Sequence, residues 1–140
     1  MESIISLAQC GLFLPKYNSS VLEVVKRSYT VRRARKEEVA SLLNIEKASW
    51  KNLALTEAQV LRRINNHSTG QWVCEVDGMV VGVMYTQVIG SIDYLLQPNV
   101  NFNNQEDLHG LSKGNIVQLL GVAVLPEYAH LQIGLALRDF

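Results

Sequence analysis

The sequence predicts an α/β domain with a mixed central sheet, and three observations support this prediction. Residues 119–125 form an apolar, β-branched run with the length of a buried strand. Pro126 ends that run, because proline cannot donate a hydrogen bond to a sheet ladder. Residues 72–88 predict a β-hairpin around Asp77-Gly78, a dipeptide typical of a type I′ turn. Two segments before the hairpin have apolar residues at helical spacing, so helices and strands share one chain of 140 residues.

The first 28 residues are predicted to be an extension or linker, and the domain is predicted to occupy residues 29–140. Residues 4–14 are fairly apolar, but they are too few to span a bilayer and follow Glu2 rather than a basic stretch. We therefore expect no membrane span and no signal peptide there, but a flanking helix or the remnant of a linker. Residues 15–20, with their proline, asparagine and serines, predict a break before the domain.

The elements before the hairpin are predicted from propensity and periodicity. Residues 29–34 have the β propensity of a first strand. A first helix follows, with an apolar face formed by Val39, Leu42, Leu43 and Ala48. Thr56 and Gln59 have the spacing of a capping box, in which each side chain accepts a hydrogen bond from the other residue's backbone amide. The second helix then has a buried stripe of Val60, Leu61 and Ile64.

A long polar segment, residues 90–114, connects the hairpin to the strand at 119–125. It is rich in asparagine and glutamine, and connections of this length in compact domains are functional or disordered. Residues 91–96 are expected either to form a helical turn over the substrate side or to belong to a mobile polar loop.

The strand at 119–125 is followed by a segment suited to bind an anion. Glu127–Ile133 is predicted to be a short loop, and Gly134–Arg138 is predicted to start a helix. A strand, a loop of exposed amides and a helix N-terminus form a natural phosphate site, because free N–H groups and the helix dipole converge there.

This strand–loop–helix segment resembles motif A of the GNAT superfamily, the acyl-CoA-dependent N-acyltransferases. The shared features are a V-x-P opening ending at Pro126, a tyrosine two residues later, and Ile133-Gly134. The resemblance implies the N-terminal part of the GNAT fold, with the pantetheine arm on the strand edge and the pyrophosphate in the loop. It implies cofactor-binding positions at Val122, Ala123, Val124, Ala129, His130, Leu131, Gln132, Ile133, Gly134 and Leu135.

The loop departs from the family pattern, which is Gln/Arg-x-x-Gly-x-Gly/Ala and often carries a further glycine after its first residue. Counted from Pro126, only Gly134 is kept, while Ala129 replaces the basic or amide side chain, and His130 and Gln132 replace glycines. Glycine is used there because the backbone must approach the phosphates closely. The sequence thus predicts an intact fold in which the cofactor-binding loop has lost most of the residues that the family uses to bind the pyrophosphate.

A narrower resemblance links three stretches to the GNAT-like domains in loading modules of polyketide synthases. The stretches are residues 32–50, 56–89 and 115–134, and the resemblance covers residues 29–140. It implies a CoA-dependent acyltransferase domain that takes acetyl-CoA or malonyl-CoA and passes the acyl group to an acyl carrier protein. It also places Trp50 in the wall of the acyl or phosphopantetheine tunnel, with simple packing between the first two helices as the alternative.

Catalytic residues remain unknown, and two hypotheses follow. In the polyketide subgroup the threonine and histidine credited with chemistry lie past the motif A helix, and we expect this chain to be truncated there, after Phe140. Either the chain is a fragment of a functional acyltransferase, or it is a non-catalytic relic or interaction module with an eroded CoA loop. An unpaired edge on the strand at 119–125 would invite association, so a homo-oligomer or a complementing chain is expected.

The composition excludes several function classes. The 13 basic and 13 acidic residues cancel, which argues against a nucleic-acid binder that relies on phosphate attraction. Cys10 and Cys74 fit no metal-ligand spacing, so no metal site is predicted, and two reduced thiols are typical of a cytoplasmic protein. One basic cluster is interpreted as a solvated face, or alternatively as a docking surface for an acidic carrier protein: Arg32, Arg33, Arg35 and Lys36.

Overall fold

The computed structural model describes residues 11–18, 21–110 and 114–140, with side chains from residue 28 onward. Within these residues, five strands form one sheet in the order β1-β2-β3-β4-β5. The strands are β1 Gly11–Asn18, β2 Val21–Arg33, β3 Gln71–Val76, β4 Met79–Ile89 and β5 Ile116–Val124. The α-helices are α1 Val39–Trp50, α2 Glu57–Asn66 and α3 Ile133–Asp139. This confirms the α/β class, and the parallel pairing that would make the sheet mixed does not occur among the described residues.

The hairpin predicted around residues 77–78 is confirmed. Asp77 and Gly78 have φ angles of 52° and 77°, the positive values that a type I′ turn needs at both central positions. They join β3 to β4, which pair antiparallel and form the centre of the sheet. Both flanking strands are largely buried, because the sheet is covered by helices on both faces.

One face of the sheet is covered by α1 and α2. The capping box is confirmed: Gln59 N donates to Thr56 Oγ1 at 3.2 Å, and Thr56 N donates to Gln59 Oε1 at 2.9 Å. Two residues of the predicted stripe on α2, Val60 and Ile64, are buried, while Leu61 is only half-buried. The core on this face consists of Ala34, Leu42, Ile45, Leu55, Val60, Ile64, Val73, Val83, Tyr85 and Ala123.

The opposite face is covered by α3. Ile133 and Leu137 of α3 are fully buried there, with Val31 and Cys74 from the strands. A close approach makes this possible, because a Cβ atom on Gly82 of β4 would lie 2.7 Å from Ile133 Cγ2. Glycine at position 82 therefore determines how near α3 sits to the sheet.

The predicted break at Pro15–Ser20 is wrong for residues 15–18. Pro15 lies within β1, an edge strand, where a missing N–H can face away from the ladder. β1 pairs antiparallel with the first half of β2, so the first strand of the predicted domain begins before Tyr29. A helix at residues 4–14 is also wrong for residues 11–14, and residues 1–10 lie outside the described residues. The boundary at residues 28 and 29 stays a prediction.

Short 3-10 helices occupy parts of two segments that were predicted as loops. Of the two alternatives for residues 91–96, the structure shows the helical turn, as a 3-10 helix at Ile92–Leu96, and another 3-10 helix follows at Gln105–Leu108. Its place over the substrate side stays a prediction. The loop predicted at Glu127–Ile133 is instead a 3-10 helix, Pro126–Leu131, which starts at the proline because its fixed φ suits a first helical position. The helix predicted from Gly134 is confirmed one residue earlier, as α3.

Candidate functional site

An apolar cavity of about 670 Å³ lies between α1, α2 and β5. That volume is within the range of small-molecule sites. The α1–α2 side contributes aromatic and aliphatic side chains, the segment after β4 contributes Phe102, and β5 closes the remaining wall. The lining residues are Glu46, Trp50, Leu53, Leu55, Arg63, Phe102, Leu119, Leu120, Gly121 and Val122.

Trp50 lines this cavity at the last position of α1. Its side chain is half-exposed and is not part of the buried core between α1 and α2. The helix ends there because Lys51 adopts a φ of 52°, which turns the chain away from the helix axis. The structure thus brings the predicted tunnel residue to the same cavity as Val122, one of the predicted cofactor-binding positions.

β5 carries an irregularity where it lines the cavity. In its pairing with β4, Tyr85 opposes Gly121 and Thr86 opposes Leu119, so Leu120 is an extra residue on β5. A bulge of this kind bends the strand and re-aims the neighbouring backbone groups. The sequence pattern did not predict the bulge, because residues 119–125 are all apolar or glycine and show no alternation in which an extra residue would stand out.

The predicted cofactor loop divides into buried and exposed positions. Leu131 and Ile133 are core residues, and Ala123 is buried under α1 and α2, so only their backbone groups could meet a ligand. Val122 and Val124 are half-buried. The exposed side chains are those of Ala129, His130, Gln132 and Leu135.

The helix start after the loop lies against β5. A Cβ atom on Gly134 would lie 3.8 Å from both Val122 Cγ1 and Val124 Cγ2, which is ordinary van der Waals contact. The first amides of α3, at residues 133–135, have no carbonyl partner within the helix, because the preceding turn is not α-helical. The site therefore joins the cavity wall to a group of available amides through Val122.

Gln132 has the backbone conformation of a glycine. Its φ and ψ are 59° and 32°, in the left-handed region, and Ala129 O accepts a hydrogen bond from its amide at 3.4 Å. Residues with a Cβ atom adopt this conformation at a cost. The loop has thus kept a left-handed turn at a position where the family pattern has glycine.

A buried charge cluster borders the cavity. The Arg63 guanidinium lies 5.2 Å from the centre of the Tyr85 ring, and its Nη2 lies 4.0 Å from Glu106 Oε2. Only 2% of Arg63 and 1% of Glu106 are exposed. Burial lowers the pKa of Arg63, whereas the negative charge of Glu106 opposes that shift. Sequence reasoning missed this role, although Arg63 lies three residues after Val60 and hence on the apolar face of α2.

Glu46 is a second buried charge on the cavity wall, one helical turn before Trp50. Its Oε2 accepts a hydrogen bond from Leu55 N at 3.3 Å. Burial raises the pKa of Glu46, while that hydrogen bond and the positive charge of Arg63 lower it less strongly. The signal for it was its position four residues after Leu42 and three after Leu43, which places it on the apolar face of α1.

Other candidates from the sequence have structural roles. Arg32 is buried and pairs with Glu38 and with Glu75, the latter at 2.6 Å, so it does not belong to an exposed basic face. Burial raises the pKa of Cys74 to about 12, which leaves its thiol inert, and Cys10 lies outside the described residues. No cluster of three metal-ligating side chains occurs in the described part of the chain. The helices described there are all too short or too polar for a membrane crossing.

We compared the chain with known proteins. No protein-family model matches the sequence, and no curated protein matches it. Among solved structures, the loading GNATL domain of CurA from Lyngbya majuscula is 31% identical, with a TM-score of 0.72 over 80% of this chain and 55% of that chain. The GNAT-like decarboxylase GphF, in complex with isobutyryl-CoA, is 29% identical, with a TM-score of 0.71 over 79% of this chain and 55% of that chain. The chain belongs to the GNAT superfamily.

A further solved structure, that of a putative acetyltransferase, is less similar to this chain. The yncA protein from Salmonella typhimurium, solved with its cofactor acetyl-CoA, is 18% identical with a TM-score of 0.52, over 79% of this chain and 59% of that chain. That likeness shows the GNAT fold alone. The chain spans about half the length of the GNAT structures that it matches.

Proposed function

We propose that this chain belongs to a GNAT-type domain that binds an acyl-CoA and handles its acyl group in the cavity beside β5. The observation that carries the proposal is that three features lie together on β5: the bulge at Leu120, the cavity wall that includes Val122, and the start of α3, which lies against Val122. The resemblance to a GNAT-like domain solved with isobutyryl-CoA supports an acyl-CoA as the ligand.

The residues of this chain would divide the ligand among three places. Backbone amides at 133–135 would hold the pyrophosphate, because a helix N-terminus attracts anions. The free edge of β5 would accept the pantetheine arm, since among the described residues β5 pairs with β4 alone. The acyl group would lie in the cavity near Trp50, where an amide of β5 would donate to the thioester oxygen as charge develops on it.

We further propose acetyl-CoA or malonyl-CoA as the donor and an acyl carrier protein as the acceptor. This part follows from the resemblance to polyketide synthase loading domains, and it is supported by the likeness to the loading GNATL domain of CurA.

A second candidate function is a non-catalytic relic or interaction module with little affinity for CoA. The exposed side chains at the family's grip positions favour it, because Ala129 offers no charge or hydrogen bond to a phosphate. A lost hydrogen bond to a charged group costs about 1.5–3 kcal/mol. Such a loss would leave acetyl-CoA and malonyl-CoA binding weak or undetectable.

A restored side chain tests the proposal. We expect Ala129→Arg to strengthen binding of acetyl-CoA about 10–100-fold in calorimetry, because it returns a charge-assisted contact to the pyrophosphate. Ala40→Arg, at an exposed position on α1, adds the same charge elsewhere and serves as the matched control. Equal gains in both variants would mean general charge attraction, and no binding by wild type or Ala129→Arg would favour the relic. Transfer of the acyl group to a purified carrier protein, measured with the same variants, tests the finer proposal.

A further inference from the structure

We infer that the cavity beside β5 receives an apolar acyl chain of about four to eight carbons rather than an acetyl group. This inference rests on the proposed binding of an acyl-CoA, and it names a substrate class that differs from the acetyl-CoA or malonyl-CoA of the finer proposal. Size is the first reason: a volume of about 670 Å³ lies near the middle of the roughly 300–1,000 Å³ range of small-molecule sites. The three heavy atoms of an acetyl group would leave most of that volume unfilled.

The chemistry of the walls is the second reason. Eight of the ten lining residues are apolar or glycine, and the remaining two are the buried charges Glu46 and Arg63. Each of those charges has a protein group nearby: Glu46 accepts a hydrogen bond from Leu55 N, and Arg63 Nη2 lies 4.0 Å from Glu106 Oε2, an ion pair without a hydrogen bond. An apolar occupant would therefore gain contact with aliphatic and aromatic side chains without separating a charge from its partner.

The mouth of the cavity gives the third reason. Leu53 is 67% exposed and Phe102 is half-exposed, and both line the cavity. Leu53 belongs to the turn after α1, and Phe102 belongs to the segment after β4. Two exposed apolar side chains at the rim of an apolar cavity would lose contact with water when a chain threads between them. An acetyl group held at the β5 bulge would not reach across the cavity to cover both.

N-acetylcysteamine thioesters with acetyl, butanoyl and octanoyl chains test the inference. They carry the end of the pantetheine arm but no pyrophosphate, so their binding does not depend on the eroded loop. Binding is read from the fluorescence of Trp50 and by calorimetry. We expect affinity to rise about fourfold per added methylene until the chain fills the cavity, and Trp50→Phe to remove the fluorescence change.

A pair of variants separates cavity binding from general hydrophobic attraction. Leu53→Gln changes the rim of the cavity, whereas Leu96→Gln makes the same change at a residue that is 74% exposed and does not line it. We expect Leu53→Gln to weaken octanoyl binding at least fivefold with little effect on the acetyl thioester, and Leu96→Gln to change neither.

The outcomes distinguish this inference from the proposed function. Acyl-CoAs that bind with the same affinity whatever their chain length would overturn the inference while leaving CoA binding in place. Thioesters that show the chain-length dependence, with CoA itself adding no affinity, would support the inference and refute the CoA-dependent function. Failure of every thioester to bind, or equal effects of Leu53→Gln and Leu96→Gln, would overturn the inference.

Discussion

Replacement of Arg63 by methionine is expected to lower the free energy of unfolding by about 3–5 kcal/mol, the usual cost of removing one partner of a buried ion pair. Methionine keeps most of the side-chain volume, so the effect isolates the charge. Without Arg63, the cationic partner left to the carboxylate of Glu106 among the described residues would be Arg62, whose Nη1 lies 3.7 Å away and whose side chain is 42% exposed. Tyr85 would also lose the guanidinium that lies 5.2 Å from its ring.

The assay is urea unfolding followed by circular dichroism at one fixed protein concentration, because association would shift the apparent stability. Arg62→Met is the matched control: it contacts Glu106 and Asp107 at 3.7 and 3.6 Å from an exposed position, so we expect a loss below about 1 kcal/mol. Glu106→Gln combined with Arg63→Met should recover part of the loss, because no charge is then left unpaired. An Arg63→Met variant no less stable than Arg62→Met would refute the reasoning.

Three further predictions concern pH, packing and backbone strain. The rings of His67 and His109 stack with their centres 4.5 Å apart, and burial lowers the pKa of both, so the folded state resists protonation. The free energy of unfolding should therefore be at its full value above pH ~6.5, the unfolded-state pKa, and should fall as the pH drops below it. The fall should be smaller in His67→Gln. Gly82→Ala should cost about 1–3 kcal/mol in urea unfolding through overpacking against α3, whereas Gly134→Ala should be tolerated. Gln132→Gly should raise the free energy of unfolding by roughly 0.5 kcal/mol. The substitution relieves left-handed backbone strain of about 1–2 kcal/mol, and part of that gain is offset by the greater entropy of glycine in the unfolded chain. A destabilised variant would contradict this.

The parts of the fold that the sequence predicted well are those that depend on few neighbouring residues. The capping box needs only Thr56 and Gln59, and the hairpin turn needs only Asp77 and Gly78. Both motifs have the same geometry in most proteins, so their residues are sufficient evidence. Pro15 misled for the opposite reason: whether a proline breaks a strand or sits on its edge depends on the partner strand, which local sequence does not specify.

Sequence reasoning named segments that line the cavity, but it missed the charged residues buried beside it. Trp50 and Val122 line one cavity, while their roles toward an acyl group and a cofactor stay predictions. The burial of Arg63 and Glu46 was missed, because charged residues on helices are usually solvated. The charge of Arg63 is opposed by Glu106, which lies 43 positions beyond it in the long polar segment. No local pattern connects residues so far apart.

The loop between β5 and α3 separates two properties that a motif comparison treats as one. A glycine in such a pattern can permit a left-handed backbone conformation, and it can also let a ligand approach the backbone closely. Here the left-handed conformation is present without a glycine, since Gln132 has a φ of 59°. The exposed Ala129, in contrast, has lost the side chain that would contact a phosphate. If CoA affinity depends on this side chain, as we propose, then Ala129→Arg should change binding, whereas Gln132→Gly should change stability. A binding gain from Gln132→Gly alone would show instead that its Cβ atom obstructs the ligand.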